Sequence, residues 1–218
     1  MDLIVLRGGT LKRFVTVFML VGCLAASISL PVGSAHTQST DRDVFVYLPL
    51  IIGQGAPTPP PSSNVVVNGD FEGGRTGWVE YEDSTFYDYE LIVHASGLPG
   101  LITPYDGDWA VWLGGDSELT TYIEQEITVP ATGPELVYWH WIDSIFACDG
   151  SSGGVLLNGT FVDQYPLCAT ADTGGWMRQS VDLTAYAGQT VQLCFASQTE
   201  MDNYSSLYID TVSVRGAP

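Results

Sequence analysis

The sequence predicts an all-β protein: a jelly-roll β-sandwich of two antiparallel sheets behind a removable leader and a Pro-rich linker. Three observations carry that expectation. From Asn64 onward, short segments of alternating apolar and polar residues recur between Gly, Asn, Asp and Pro turn signals. No stretch sustains a 3.6-residue apolar period with caps, so helices are not expected. The 155 residues of 64–218 are ample for one core between two layers.

The chain opens on a basic region with Arg7, Lys12 and Arg13, followed by an apolar run from Phe14 to Leu30 that stops at Pro31. Gly33-Ser34-Ala35 then offers small residues for cleavage, so residues 1–35 read as a signal peptide rather than a membrane span. An alternative is a lipoprotein signal ending before Cys23, since Leu20-Val21-Gly22-Cys23 resembles a lipobox. The apolar run continues past Cys23, which favours ordinary secretion. Either way the protein is expected outside the cell or at its surface. Membrane contact would come only through the N-terminal segment, if it is retained or lipidated.

Residues 36–63 form the next unit. A polar start leads into the apolar tract Val44–Ile52, VFVYLPLII, and then into the linker Gly53–Ser63, GQGAPTPPPSS. So much proline makes the linker extended and semi-rigid. The tract could pack on the domain or attach it to the cell envelope.

Within the domain the expected strands are Val65–Asn68, Leu91–His94, Trp109–Leu113, Thr120–Val129 and Glu135–Asp143, then Val155–Leu157, Thr160–Tyr165, Trp176–Leu183, Thr190–Thr199 and Ser206–Arg215. The stretch Gly174–Phe195 reads as two strands of one half-buried layer, with Gly188 permitting a tight reversal. Glu80–Glu90, EYEDSTFYDYE, breaks the rhythm and reads as an acidic, aromatic loop.

The whole chain carries 25 acidic and seven basic residues, a formal charge of −18. Removing residues 1–35 leaves four arginines, no lysine and a net charge of about −20. Such a surface repels nucleic acid and anionic lipid and is compatible with divalent cations and neutral ligands. Cys148, Cys168 and Cys194 remain after ordinary processing. Val155–Leu157 and Thr160–Tyr165, joined through Asn158-Gly159, form a hairpin that brings its two ends together, and this predicts a Cys148–Cys168 disulfide. Cys194 lies mid-strand and reads as a small buried thiol.

Five segments in order, NGDFEGGRTGW (68–78), PYDGDWAVWLGG (104–115), ITVP (127–130), GGWMRQSVDLTAYAGQTVQL (174–193) and LYIDTVSV (207–214), resemble a group of secreted bacterial β-sandwich modules. These are the jelly-roll modules at the C-terminal ends of exported peptidases and the carbohydrate-binding families of the galactose-binding-like type. The resemblance covers nearly all of 64–218, and members with cysteines near Cys148 and Cys168 fit the hairpin bridge. It implies a structural calcium site where the first and last strands meet, with Glu72 and Asp210 as ligands, backbone oxygens near Gly107 and Asp108, and Asp70 as an extra ligand. Where the family often has a second acidic residue after the position of Asp210, this chain has Thr211.

For a ligand surface the candidates are aromatic, because sugars stack on flat rings while carboxylates and amides take their hydroxyls. Trp139 and Trp141 share one face of their strand, opposite Tyr138 and His140, and Trp141 is the candidate there; the alternative is that the strand only builds core and sheet surface. Tyr81, Phe86, Tyr87 and Tyr89 of the acidic loop are the second set; the alternative is that they pack down to fix the loop. No metalloprotease or nucleophile-elbow motif occurs, no carboxylate pair stands out, and His140 and Asp143 point to opposite faces. The sequence therefore reads as an exported, non-catalytic binding module for a polysaccharide or cell-surface component. Two alternatives stand beside it: a structural or adhesive envelope protein without a small ligand, and a small glycan-acting hydrolase or lyase.

Overall fold

The structure, a computed structural model, describes residues 63–84, 90–148 and 150–217. The expected signal peptide and, apart from Ser63, the tract and linker lie outside the described residues. Two five-stranded antiparallel sheets pack face to face. The first runs, in spatial order, β1 (Val79–Glu82), β4 (Thr120–Thr128), β9 (Thr190–Gln198), β6 (Ser152–Leu157) and β7 (Thr160–Pro166). The second runs β2 (Ile92–His94), β3 (Trp109–Gly114), β10 (Ser206–Arg215), β5 (Glu135–Asp143) and β8 (Met177–Asp182). Among the described residues the helical turns are two short 3₁₀ segments, Ala95–Gly97 and Thr184–Tyr186.

Period-two alternation sets the layers. Leu136, Tyr138, His140 and Ile142 of β5 face inward, while Val137, Trp139 and Trp141 face out. The core between the sheets joins Ile123, Val155, Leu157, Leu193, Phe195, Leu207 and Ile209. Phe71 and Trp78 plug it from the turn before β1, with Trp78 edge-on to Phe195 at 6.3 Å. The hairpin β6–β7 turns at Asn158 and Gly159, both at positive φ (49° and 77°), the geometry of a two-residue primed turn. The Cys148–Cys168 disulfide is present, with Cα atoms 4.9 Å apart. Cys194 is buried on β9.

Three expectations are corrected. Val65–Asn68 is a turn and not a strand, because side-chain amides replace the ladder. Asn64 Oδ1 accepts from Val66 N and Val214 N, and Gln125 both accepts from Val67 N and donates to the Val67 and Gly77 carbonyls. The segment still lies against β10, with Val65 N donating to Val214 O at 3.1 Å. The second correction is that Glu80–Glu90 is not loop throughout, since its first residues belong to β1. Glu80 points inward there, and its Oε2 accepts from Leu91 N (2.7 Å) and Ile92 N (3.3 Å). Third, the two strands of Gly174–Phe195 do not share a sheet. The seven residues from Leu183 to Gln189 carry the chain from β8 in the second sheet to β9 in the first, with Leu183 buried in the core between.

Candidate ligand-binding face and its bordering loop

The spatial order β3-β10-β5-β8 gathers side chains distant in sequence onto the outer face of the second sheet. Tyr208 on β10 lies opposite Trp112 on β3 and opposite Trp141 on β5. Tyr208 packs at 6.2 Å from Trp112 and 6.4 Å from Trp141. Trp141 meets Trp176 edge-on at 6.1 Å, Trp176 meets Tyr105 at 6.3 Å, and Tyr105 stacks on Trp139 at 3.8 Å. The result is a continuous row of rings across three strands, the residue before β8 and one loop. The four tryptophans are half-buried, so their edges and faces remain open.

Two of the indole N–H groups are already used. Trp112 Nε1 donates to Ser206 Oγ at 3.0 Å, and Trp176 Nε1 donates to Thr103 O at 2.9 Å. These bonds fix the rings and leave their π faces as the available chemistry. Tyr208 is fully buried, and its hydroxyl lies by the Ser206 side chain without a hydrogen bond of normal geometry. Burial pushes that phenol up to about 12, with Ser206 acting the other way and the Asp143 charge adding to the rise.

The loop 105–109 borders the row and is held by two carboxylates. Glu72 Oε1 accepts from Asp108 N (2.8 Å) and Trp109 N (3.0 Å). Asp210 Oδ2 accepts from Tyr105 N (2.8 Å) and Asp106 N (3.2 Å), while its Oδ1 accepts from Thr211 N (2.6 Å). Gly107 is at φ 65°, and a Cβ there would lie 2.3 Å from the Glu72 carboxylate, so this close approach requires glycine. Asp210 is buried, which pushes its carboxyl up to about 6 against the pull of these N–H donors. Thr211, at φ 51° in the β10 bulge, is a β-branched residue in the left-handed region, a strained position that the surrounding bonds enforce.

Of the residues expected to hold calcium, Glu72, Asp210, Gly107 and Asp108 thus meet around one loop. Asp70 is exposed on the preceding turn and makes none of the bonds that hold the loop. The donors are all hard oxygens, and Glu72 Oε2 has no hydrogen bond among the described residues, which fits a calcium ion. Backbone carbonyls would have to complete any such shell, because among the described residues no three His, Cys, Asp or Glu side chains group to hold a metal.

The described members of the two aromatic sets expected from sequence stand on different sheets. Trp141 belongs to the row on the second sheet. Tyr81 lies on β1 at the edge of the first sheet, 43% exposed and stacked on Tyr122 at 4.7 Å. Phe86, Tyr87 and Tyr89 lie outside the described residues. Trp112, Tyr208, Trp176 and Tyr105 escaped the sequence reading, since only the order of strands brings them to Trp141.

No protein-family model and no curated protein matches the chain. Solved structures do. One is a carbohydrate-binding module, TmCBM61, in complex with β-1,4-galactotriose: 14% identity, TM-score 0.50, 70% of this chain and 98% of that one. Another is the K3 cleaved adhesin domain of Lys-gingipain from Porphyromonas gingivalis w83, at 18% identity and TM-score 0.48, covering 69% of this chain and 99% of that one. A third is a Stig cyclase from Fischerella sp. TAU, at 12% identity and TM-score 0.48, covering 71% and 97%. At these identities the likeness concerns fold. The class it defines is the jelly-roll β-sandwich of two antiparallel sheets.

Proposed function

We propose that this protein is a non-catalytic binding module that takes carbohydrate on the outer face of its second sheet, outside the cell or at its surface. One observation carries the reading: a row of aromatic rings on that face, in which Trp112, Trp139, Trp141 and Trp176 are half-buried and the indoles of Trp112 and Trp176 are held by hydrogen bonds. Flat rings suit the C–H faces of sugars. The fold likeness to a module solved with a galactotriose supports the same direction.

The test is retention of the full chain on insoluble polysaccharides in millimolar calcium. Trp141→Ala should weaken retention about thirtyfold, a loss of about 2 kcal/mol for a central aromatic anchor. Tyr81→Ala, on the other sheet, should leave it unchanged. Failure of the wild-type chain to bind any polysaccharide would defeat the reading.

Calcium is the second part of the proposal. Bound between Glu72 and Asp210, it would neutralise two carboxylates and tie the 105–109 loop to the start and end of the domain. Chelator should then lower the melting temperature of the wild type, and Asp210→Ala should abolish that response. A melting curve indifferent to chelator and to added calcium rules the ion out.

A further inference from the structure

We propose that the side of the sandwich between the edge strands β7 and β8 holds a ferric ion, bound by the Tyr165 and Tyr138 phenolates, the Asp163 carboxylate and the His140 imidazole. The site is separate from the aromatic face and from the Glu72–Asp210 loop, and it stands or falls without them.

β7 ends the first sheet and β8 ends the second. On that side β7 sends Asp163 and Tyr165 inward, β5 sends Tyr138 and His140 to meet them, and Gln179 on β8 completes the group. Tyr138 Oη lies 2.8 Å from Asp163 Oδ2, Tyr165 Oη lies 2.7 Å from the same oxygen, and the two phenol oxygens are 2.5 Å apart. Both hydroxyls find an acceptor, but two protons serve three oxygen–oxygen contacts around an ionised carboxylate. One contact is always left with lone pairs facing each other. A cation seated on the triangle removes that conflict. The spacing suits one, since an octahedral ion bound at about 2.0 Å holds neighbouring oxygens about 2.8 Å apart. Gln179 Nε2 donates to Asp163 Oδ2 as well, at 2.7 Å, so Oδ1 accepts no hydrogen bond among the described residues and is a further ligand atom. No arginine is paired with Asp163 among the described residues.

His140 gives the second, independent sign. It stacks on the Tyr165 ring at 4.6 Å, stands 6.0 Å from the Tyr138 ring and is 7% exposed, and its buried Nδ1 has no partner. Burial pulls the imidazole below its ordinary value against the Asp163 charge, so at neutral pH the ring is uncharged and carries a free lone pair. A seam that served only to close the sandwich would gain nothing from an uncapped imidazole beside a proton-poor triangle of oxygens.

Charge decides the ion. Two phenolates and one carboxylate carry three negative charges, which a trivalent ion cancels and a divalent ion leaves unbalanced in a place largely removed from water. Imidazole and phenolate are both established iron ligands. Binding releases the two phenol protons to water, and burial holds both phenols neutral until the ion arrives.

The test is a titration of the full chain with ferric nitrilotriacetate, added both to the folded protein and during refolding from denaturant. A visible phenolate-to-iron charge-transfer band should grow to one ion per chain. Tyr165→Phe and Asp163→Asn should each remove the band, and His140→Gln should weaken binding at least about tenfold. Tyr165→Phe keeps the ring that stacks on His140, so loss of the band with a cooperative melting transition retained marks a lost ligand. Tyr122→Phe, on the outer face of the first sheet, should leave the band unchanged. No band by either route overturns the inference. So does a band that survives Tyr165→Phe, which would mark iron held elsewhere on the acidic surface, and so does displacement of the iron by equimolar zinc or calcium.

Discussion

The two outer faces of the sandwich both carry aromatic rings, and they differ in what those rings leave undone. On the first sheet, Leu156 and Cys194 point outward yet are buried, covered by Tyr122, Phe161 and Ala196. Tyr81 stacks flat on Tyr122, and no side-chain polar atom of that cluster is buried without a partner. On the second sheet the rings stay half-open, their indole N–H groups are tied down at Trp112 and Trp176, and the Tyr208 hydroxyl beneath them is unsatisfied. Apolar cover on an outer face is therefore not enough to mark a site. A site shows in a long row of open rings whose indoles are held in place, which the first sheet lacks.

The largest expected effect tests the first face as structure. Leu156→Ala removes a fully buried side chain from a shallow cluster whose neighbours can partly collapse, so the cost should be about 2–3 kcal/mol. That corresponds to a fall in melting temperature of about 5–10 °C, readable by calorimetry. Polysaccharide retention of the folded variant should be unchanged. If Leu156→Ala weakens retention while Trp141→Ala does not, the roles of the two faces must be exchanged.

How much of this was legible in the sequence follows the range of the interactions. β5 and β10 stand at their expected bounds, because strict alternation over nine or ten residues is a local signal. The disulfide followed from a hairpin, also local. Val65–Asn68 looked like a strand from its apolar residues, but Asn64 and Gln125 supply by side chain the bonds a ladder would make. β1 was hidden by its charge, since Glu80 reads as surface yet accepts two N–H groups from the facing sheet. Trp141 and its outward face were legible. Its neighbours Trp112, Tyr208 and Trp176 were not, because the order β3-β10-β5-β8 is set by packing of the whole domain. The residues expected to hold calcium came from resemblance, and of them Glu72 and Asp210 hold one loop while Asp70 stands aside.

The smallest expected effect is the most discriminating, because the same chemical change is made at two tyrosines. Tyr138, in the layer between the faces, donates to Asp163 Oδ2 at 2.8 Å beside Tyr165, whose hydroxyl lies 2.5 Å away, and Gln179 Nε2 joins the same carboxylate oxygen at 2.7 Å. Its hydroxyl is pushed far up by burial and then by these neighbours. Tyr138→Phe breaks a satisfied network and should cost about 1–2 kcal/mol of stability, read by denaturant titration. Tyr208→Phe deletes a buried hydroxyl that had no partner, so stability should stay within about 1 kcal/mol of wild type and lie on the stabilising side. The same variant should leave carbohydrate binding unchanged, because the hydroxyl is sealed beneath Trp112 and Trp141. Opposite signs at the two positions would separate a hydroxyl tied into a carboxylate network from one that the fold does not need. If Tyr208→Phe is instead as destabilising as Tyr138→Phe, with binding intact, that hydroxyl is satisfied within the fold. The second face would then be as closed as the first.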